Sequence, residues 1–365
     1  MRPRVYITIL ALIWLVLCGL LLQWSVIMYK SVVYGISPAS FIINTVIRLF
    51  VGIVAFILGM ILFKRRIERY ADVILWASVG LLVITLVFGK TFGGATRWIS
   101  ILGFSFQPSE FVKYALIIYM GKVFAYESDK RIYRVFWKLL FISSVIAVLV
   151  ALQPNISTAS VLLFSVIVVL ILWGAKPLQI ITSFLLFLIL AMVSYNTFPH
   201  VRDRINIFLG KEESGIRKAQ VVQAKVALVS GGVFGRGPGK GLQKLGYLPS
   251  SDKDFAYSYI SEEYGLLGFP AGGFWIILMI ILITWNGVWA SDKLALQDEY
   301  KSFVCFGFSV IYFIFSAVHI LVNIGFLPPT GLTLPFVSYG GSSLMANAFA
   351  MGYITRAIIE GYKGF

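Results

Sequence analysis

The stretch "VYITILALIWLVLCGLLLQWSVIM", residues 5–28, decides the fold class. It holds no charged side chain, and about 20 consecutive apolar residues are enough to cross the hydrocarbon core of a bilayer. Arg2 and Arg4 precede it, as basic residues precede a secretory leader. The run outlasts the roughly 7–15 apolar residues of such a leader and no small-x-small cleavage site follows, so it reads as an uncleaved first span. Comparable runs recur along the whole chain. Of the 365 residues 59% are hydrophobic and 13% charged, with a mean hydropathy of +0.88. A soluble domain carries about 25% charged residues. The chain is therefore expected to be an all-α polytopic membrane protein, one transmembrane domain over residues 1–365, without repeats.

Apolar length places ten spans, at about 5–28, 41–63, 71–88, 110–126, 135–153, 157–174, 178–198, 262–286, 301–324 and 341–360. The short basic connections orient them. Arg2 and Arg4 precede span one; Lys64, Arg65, Arg66 and Arg69 follow span two; Lys130, Arg131 and Arg134 follow span four. Lys176 follows span six, Lys293 span eight, and Arg356 and Lys363 close the chain. All lie on one side, which the positive-inside bias makes cytoplasmic. An even number of spans puts both termini there.

The other connections face outward and concentrate Gly, Pro and polar residues: 91–110, "QPNIST" (153–158), a long loop at 199–261, and 325–343. Loops on a rigid scaffold carry function, so chemistry is expected on the outer face. The long loop holds ten basic residues: Arg202, Arg204, Lys211, Arg217, Lys218, Lys225, Arg236, Lys240, Lys244 and Lys253. They suit either a solvated, headgroup-facing surface or an anionic ligand. Nucleic acid is a poor candidate outside a membrane. Arg48 lies inside span two, where it either snorkels to the headgroups or serves function.

Several motifs have bland readings. "GGVFGRGPGKG" (231–241) fails the phosphate-loop template, with Phe234 and Gly241 where Gly and Ser or Thr are required, and reads as a flexible turn. Its backbone amides could still contact an anion. In "QPSEFVK", Pro108 sets a turn, Ser109 is placed to cap a helix, and Glu110 and Lys113 share one helical face as a buried ion pair. Cys18 and Cys305 sit in apolar runs, so no disulfide framework is indicated. Two histidines are too few for a histidine-rich metal site, and His319 reads as a satisfied polar residue between helices. Only 16 residues are acidic, yet Asp252, Asp254, Glu262 and Glu263 fall close together. Glu262 and Glu263 suit the start of span eight, at the positive end of its dipole. Asp252 or Asp254 could act as a general base beside the basic loop.

"GATRWISILGFSFQPSEFVK", "QVVQAKVALVSGGVFGRGPGKGLQKLGYLP", "DFAYSYISEEYGLLG" and "PPTGLTLPFVSYGGSS" together resemble the SEDS family (shape, elongation, division and sporulation; FtsW/RodA/SpoVE). The motifs run in the family's order across nearly the whole chain, leaning toward the FtsW type. The resemblance implies a peptidoglycan glycosyltransferase that polymerises lipid II at the outer face of the cytoplasmic membrane. It also implies a class B penicillin-binding protein as partner, with other divisome or elongasome membrane proteins. It assigns the catalytic aspartate to Asp254; Asp252 and Lys253 replace the family's usual His and Thr. Implied substrate-binding residues are Arg48, Arg97, Gln107, Glu110, Lys113, Arg204, Lys240, Lys244, Ser338 and Ser342. No cofactor is certain; a divalent cation, Mg2+ or Mn2+, held with diphosphate oxygens is one way to stabilise the departing charge. Asn155 stands where the family usually has an acid, which puts cation binding by the chain in doubt. A lipid II flippase and a non-catalytic scaffold are the competing readings.

Overall fold

The computed structural model describes residues 3–35, 37–92, 95–101, 104–127, 132–211, 216–245 and 253–363. It is a helical bundle with one small sheet. In chain order the elements are α1 (Pro3–Tyr34), α2 (Pro38–Lys64), α3 (Ala71–Phe88), β1 (Lys90–Phe92), β2 (Ala95–Ile101), β3 (Phe104–Phe106) and α4 (Ser109–Glu127). There follow α5 (Ile132–Leu152), α6 (Ile156–Leu172), α7 (Pro177–Thr197), α8 (Pro199–Phe208), α9 (Ile216–Gly231) and α10 (Ala256–Tyr264). The last three are α11 (Gly273–Leu294), α12 (Glu299–Asn323) and α13 (Gly341–Gly361). Among the described residues seven helices are long and apolar enough to cross a membrane: α1, α2, α3 with the turn before it, α5, α7, α11 and α12. α6, also apolar, is shorter, at Ile156–Leu172.

α12 is the post around which the others stand, buried along most of its length. It packs on α11, α4 and α6, while α2 lies along α13, α1 along α11, and α5 along α6. Local sequence sets several helix starts. Pro38 and Pro177 open α2 and α7 at positions whose N–H would have no helical partner. Asp298 caps α12 by accepting from Lys301 N at 3.0 Å. The α2–α13 contact is backbone against backbone. A β-carbon on Gly59 would lie 2.1 Å from the Phe349 carbonyl oxygen, and one on Gly352 would lie 1.9 Å from that of Phe56. Small residues at such a crossing let helices approach without side chains between them.

Three expectations change. Residues 91–110 carry a three-stranded antiparallel sheet, pairing Thr91 with Thr96 and Ser100 with Ser105. The loop at 199–261 contains α8, α9 and the start of α10. Span eight does not run over 262–286. α10 ends at Gly265, whose φ of 66° few other residues adopt, a turn with a cis Phe269–Pro270 bond follows, and the apolar helix is α11. The turn lies against α1, where Trp14 donates to the Pro270 carbonyl at 3.0 Å. Part of its non-helical backbone is satisfied within the protein, Leu266 N and Leu267 N donating to the Gly232 and Val233 carbonyls at 2.9 and 2.8 Å.

That shift changes Glu262 and Glu263. They sit at the C-terminal end of α10, not at a helix start, and are 0% and 2% exposed. Instead of a dipole they meet the glycine-rich stretch. Glu262 accepts from Leu242 N at 2.9 Å and Gln243 N at 3.1 Å. Glu263 accepts from Gly239 N at 2.9 Å, Ser25 Oγ at 2.5 Å and Tyr259 OH at 3.1 Å. The 231–241 stretch is accordingly not a loose turn: its amides, and those just beyond, wrap an anion that the chain itself provides. Trypsin reads this clasp directly, because Arg236 and Lys240 lie exposed within it. Glu262→Ala should speed cleavage there about tenfold or more, since loss of charge-assisted hydrogen bonds raises the opened population. Unchanged cleavage would mean that the clasp does not hold the stretch.

Candidate active site

Asp254 lies two residues ahead of α10, partly exposed. Three elements fix its place. Phe255, 5% exposed, packs with Ala224 of α9. Asn323, at the end of α12, caps α10 from another helix, its Oδ1 accepting from Ser258 N at 3.0 Å and Ser258 Oγ at 2.9 Å. The same amide donates through Nδ2 to the Asp254 carbonyl at 3.2 Å. Such capping satisfies a helix-start N–H that would otherwise be orphaned. The Asp254 carboxylate faces Gly331, where a β-carbon would lie 3.8 and 4.0 Å from its oxygens. Ser338 links the 325–340 segment to the same place, donating to the Lys253 carbonyl at 2.7 Å and accepting from Leu334 N at 2.9 Å.

Two arginines converge from different elements. Arg97 of β2 donates to the Pro154 carbonyl, and Arg204 of α8 donates to Ser157 Oγ at 2.5 Å. They therefore hang on the α5–α6 turn and on the first turn of α6. Burial, then the nearby Arg204 charge, lowers the Arg97 guanidinium to about 10, and the Asp254 carboxylate opposes that shift. Arg97 remains charged at neutral pH. Its Nε is buried without a hydrogen-bond partner. A desolvated cation with an unused donor is suited to an anionic ligand.

The other sequence-derived residues divide. Gln107 and Ser342 form a joint: Gln107 N donates to Ser342 Oγ at 3.0 Å, and Ser342 Oγ to the Ser105 carbonyl at 3.2 Å. They pin the sheet to the start of α13. Ser109 Oγ accepts from Gln107 Nε2 at 3.1 Å. Glu110 and Lys113 form the expected ion pair at 2.7 Å, with side chains 8% and 2% exposed, and Lys113 Nζ lies 4.3 Å from the Phe315 ring centre. That position shapes the bundle beneath the site. Arg48 donates to Asn44 O and Thr45 Oγ1 and stacks over Tyr339 at 3.6 Å. Lys253 Nζ approaches the same ring at 5.8 Å. Lys240 is exposed on the clasp. Asp252 and the Lys244 side chain lie outside the described residues.

Asn155 turns inward, 3% exposed, and accepts from Thr158 Oγ1 at 2.8 Å. Among the described residues no three His, Cys, Asp or Glu side chains gather to hold a metal ion. No step is assigned to a divalent cation. His319 is only half satisfied: Nδ1 pairs with the Leu332 carbonyl at 2.8 Å, and Nε2 is buried without a partner. Cys18 and Cys305 are buried, unpaired thiols. Sequence reasoning missed Asn323 and Ser25. Each is a small polar residue near the end of an apolar helix, and that isolation was the available signal.

A bundle of membrane-spanning helices that holds a partly exposed carboxylate near a buried, anchored arginine defines a multi-pass membrane protein with a charged site. The chain belongs to the FtsW/RodA/SpoVE family, described as cell cycle protein, whose match spans residues 4–362. A relative named probable peptidoglycan glycosyltransferase FtsW, from Trichlorobacter lovleyi, is 34% identical over 326 residues, covering 87% of this chain and 83% of the relative. Another of that name, from Buchnera aphidicola, is 32% identical over 365 residues, covering 96% and 89%. One solved structure concerns the coordination of polymerization and crosslinking by a peptidoglycan synthase complex. It has a TM-score of 0.73 at 24% identity, covering 96% of this chain and 98% of that one. The Thermus thermophilus rod shape determining protein RodA gives 0.65 at 24% identity, covering 96% of each. Those two likenesses concern the fold. The family expected from the motifs is borne out.

The Glu110–Lys113 pair supplies a test of structural against chemical roles. Removing one partner of a buried pair leaves an uncompensated charge, and Lys113→Met should lower stability by about 3–5 kcal/mol. The double variant Glu110→Gln/Lys113→Met should recover most of that loss in thermal melts of the detergent-purified protein. A double variant no more stable than the single one would contradict the pairing.

Proposed function

We propose that the chain is a peptidoglycan glycosyltransferase that polymerises lipid II, the undecaprenyl-diphosphate-linked disaccharide-pentapeptide, on the outer side of the cytoplasmic membrane. The observation that carries this reading is the Asp254 carboxylate near the buried Arg97 cation, which also has Arg204 close by. The names of the FtsW relatives agree with it. On this reading α4, α6 and α13 also cross the membrane, giving ten crossings with both termini cytoplasmic. Asp254 then stands at the outer mouth.

Asp254 takes the proton from the C4 hydroxyl of the acceptor sugar as that oxygen attacks the anomeric carbon of the donor. The new C–O bond forms on the face opposite the leaving group, so the centre inverts. The bond to the lipid diphosphate breaks and the diphosphate leaves with the electron pair. It is already a good leaving group, so no strong acid is needed. Arg97 and Arg204 stabilise the charge that develops there, held in place beforehand by the α5–α6 turn and the first turn of α6. Glu110 and Lys113 support the cavity floor, and Gln107 and Ser342 fix its rim. A class B penicillin-binding protein, which cross-links the glycan, is the partner that fits this product, alongside other division or elongation membrane proteins.

The test is strand formation from lipid II by the purified chain with its partner. Asp254→Ala should lower polymerisation by about 10²–10⁴-fold, the range of positioned general bases. Equal polymerisation by both proteins would sink the assignment. Lipid movement across vesicles without strand formation by the unaltered chain would instead favour a flippase, and full activity of the partner alone a scaffold.

A further inference from the structure

The segment between α12 and α13 forms the wall opposite Asp254, and its backbone is not regular. Phe336 stands at a φ of 67°, which residues with side chains rarely adopt. Such a conformation persists only where its surroundings hold it. Here Leu332 and Leu334 are 3% and 1% exposed, and Ser338 ties Leu334 N to the Lys253 carbonyl. The Phe336 and Val337 carbonyls lie against α1, where a β-carbon on Gly19 would stand 2.5 and 2.9 Å from them. Thr333 Oγ1 donates to Ser343 Oγ of α13 at 2.9 Å. Gly331 is the exposed link of this wall, and it faces the Asp254 carboxylate.

His319 holds the wall from behind. Its Nδ1 lies 2.8 Å from the Leu332 carbonyl. A carbonyl oxygen only accepts, so the proton of that bond is on Nδ1. Nε2 is buried without a partner. An apolar side chain would fill the same space with no polar atom left unsatisfied, so the Nδ1 bond is what the imidazole contributes. The His319 carbonyl takes part as well, accepting from Asn323 Nδ2 at 2.8 Å. That amide also donates to the Asp254 carbonyl at 3.2 Å. One turn of α12 therefore grips both the backbone of the aspartate and the backbone across from it.

We propose that His319 is a positioning residue which, through Leu332, fixes the separation between Gly331 and the Asp254 carboxylate, and with it the slot that the acceptor hydroxyl enters. The proposal rests on the reading of Asp254 as the base. Gly331 presents no side chain, and a β-carbon there would lie 3.8 and 4.0 Å from the carboxylate oxygens. The acceptor sugar meets bare backbone on that side. Leu332 follows Gly331 directly, so a bond that holds the Leu332 carbonyl holds Gly331 as well. A misplacement of about 1 Å in a positioned reaction can cost about a hundredfold in rate.

Two substitutions of similar size separate the bond from the bulk of the ring. His319→Asn puts an amide N–H where Nδ1 stands, and His319→Leu puts a methyl group there. Both are compared with the unaltered chain, together with its partner, in strand formation from lipid II. His319→Leu should lower kcat about 10–100-fold and change KM by less than about twofold, since the slot is misaligned while the lipid still binds. His319→Asn should return kcat to within about threefold of the unaltered chain. Hydrogen exchange at the Leu334 and Ser338 amides, both bonded within the wall, should speed about tenfold in His319→Leu and not in His319→Asn. Unchanged kcat in His319→Leu, a rise in KM alone, or equal loss in both variants would each overturn the proposal. His319→Phe keeps a ring without the donor and replaces His319→Leu if that variant does not fold. Failure of both to fold while His319→Asn folds would make the bond a support of the bundle only, which also overturns it. Full polymerisation by Asp254→Ala would remove the base reading itself. Its loss in Asp254→Ala beside full activity of His319→Leu would remove the positioning role alone.

Discussion

Two carboxylates that cannot reach water govern this end of the bundle. Buried Glu262 and Glu263 would each be strongly unfavourable without partners. The chain answers with backbone amides from residues 239–243, together with Ser25 and Tyr259. The clasp brings the end of α9, the glycine-rich stretch, α1 and α10 to one place. α10 begins two residues after Asp254, so whatever fixes the helix fixes the aspartate. Glycine suits the clasp because a bare backbone can come close to a carboxylate, as it can to a phosphate.

The same economy of backbone shapes the rest of the site. α10 has no side-chain cap of its own at Phe255, and Asn323 of α12 provides one. A long, largely buried helix thereby sets the height of the aspartate. Arg97 and Arg204 arrive from the sheet and from α8, but both rest on oxygens of the α5–α6 turn and of the first turn of α6. A carboxylate and two cations from three separate segments are thus each tied to α12 or to the α5–α6 connection.

Much of this was legible in the chain, and the reasons for the misses are physical. Apolar length found α1, α2, α3, α5, α7 and α12 closely, because each keeps its apolar run intact between turn residues. It misplaced α11, because "SEEYGLLGFPAGG" contains a second helix end that apolar counting passes over. Gly265 and Pro270 marked that break. Composition could place Glu262 and Glu263 near a helix terminus but not say which one. The Glu110–Lys113 pair was readable from its spacing, since two residues three apart must share a face. Asn323 was not readable, because its partners are 65 and 69 positions away. The glycine-rich stretch looked phosphate-like for a sound reason. Its amides do hold an anion, and that anion is part of the chain.

The choice of arginine at position 97 follows from its surroundings. Burial and a second cation beside it both work against its charge, and lower it from 12.5 to about 10. At neutral pH that still leaves the protonated form in excess by about a thousandfold. A lysine starts near 10.4, and a similar fall would bring it to about 8, close to losing its charge where it is needed. The planar fork adds a second advantage, since one N–H can stay bound to the Pro154 carbonyl while others remain for an anion.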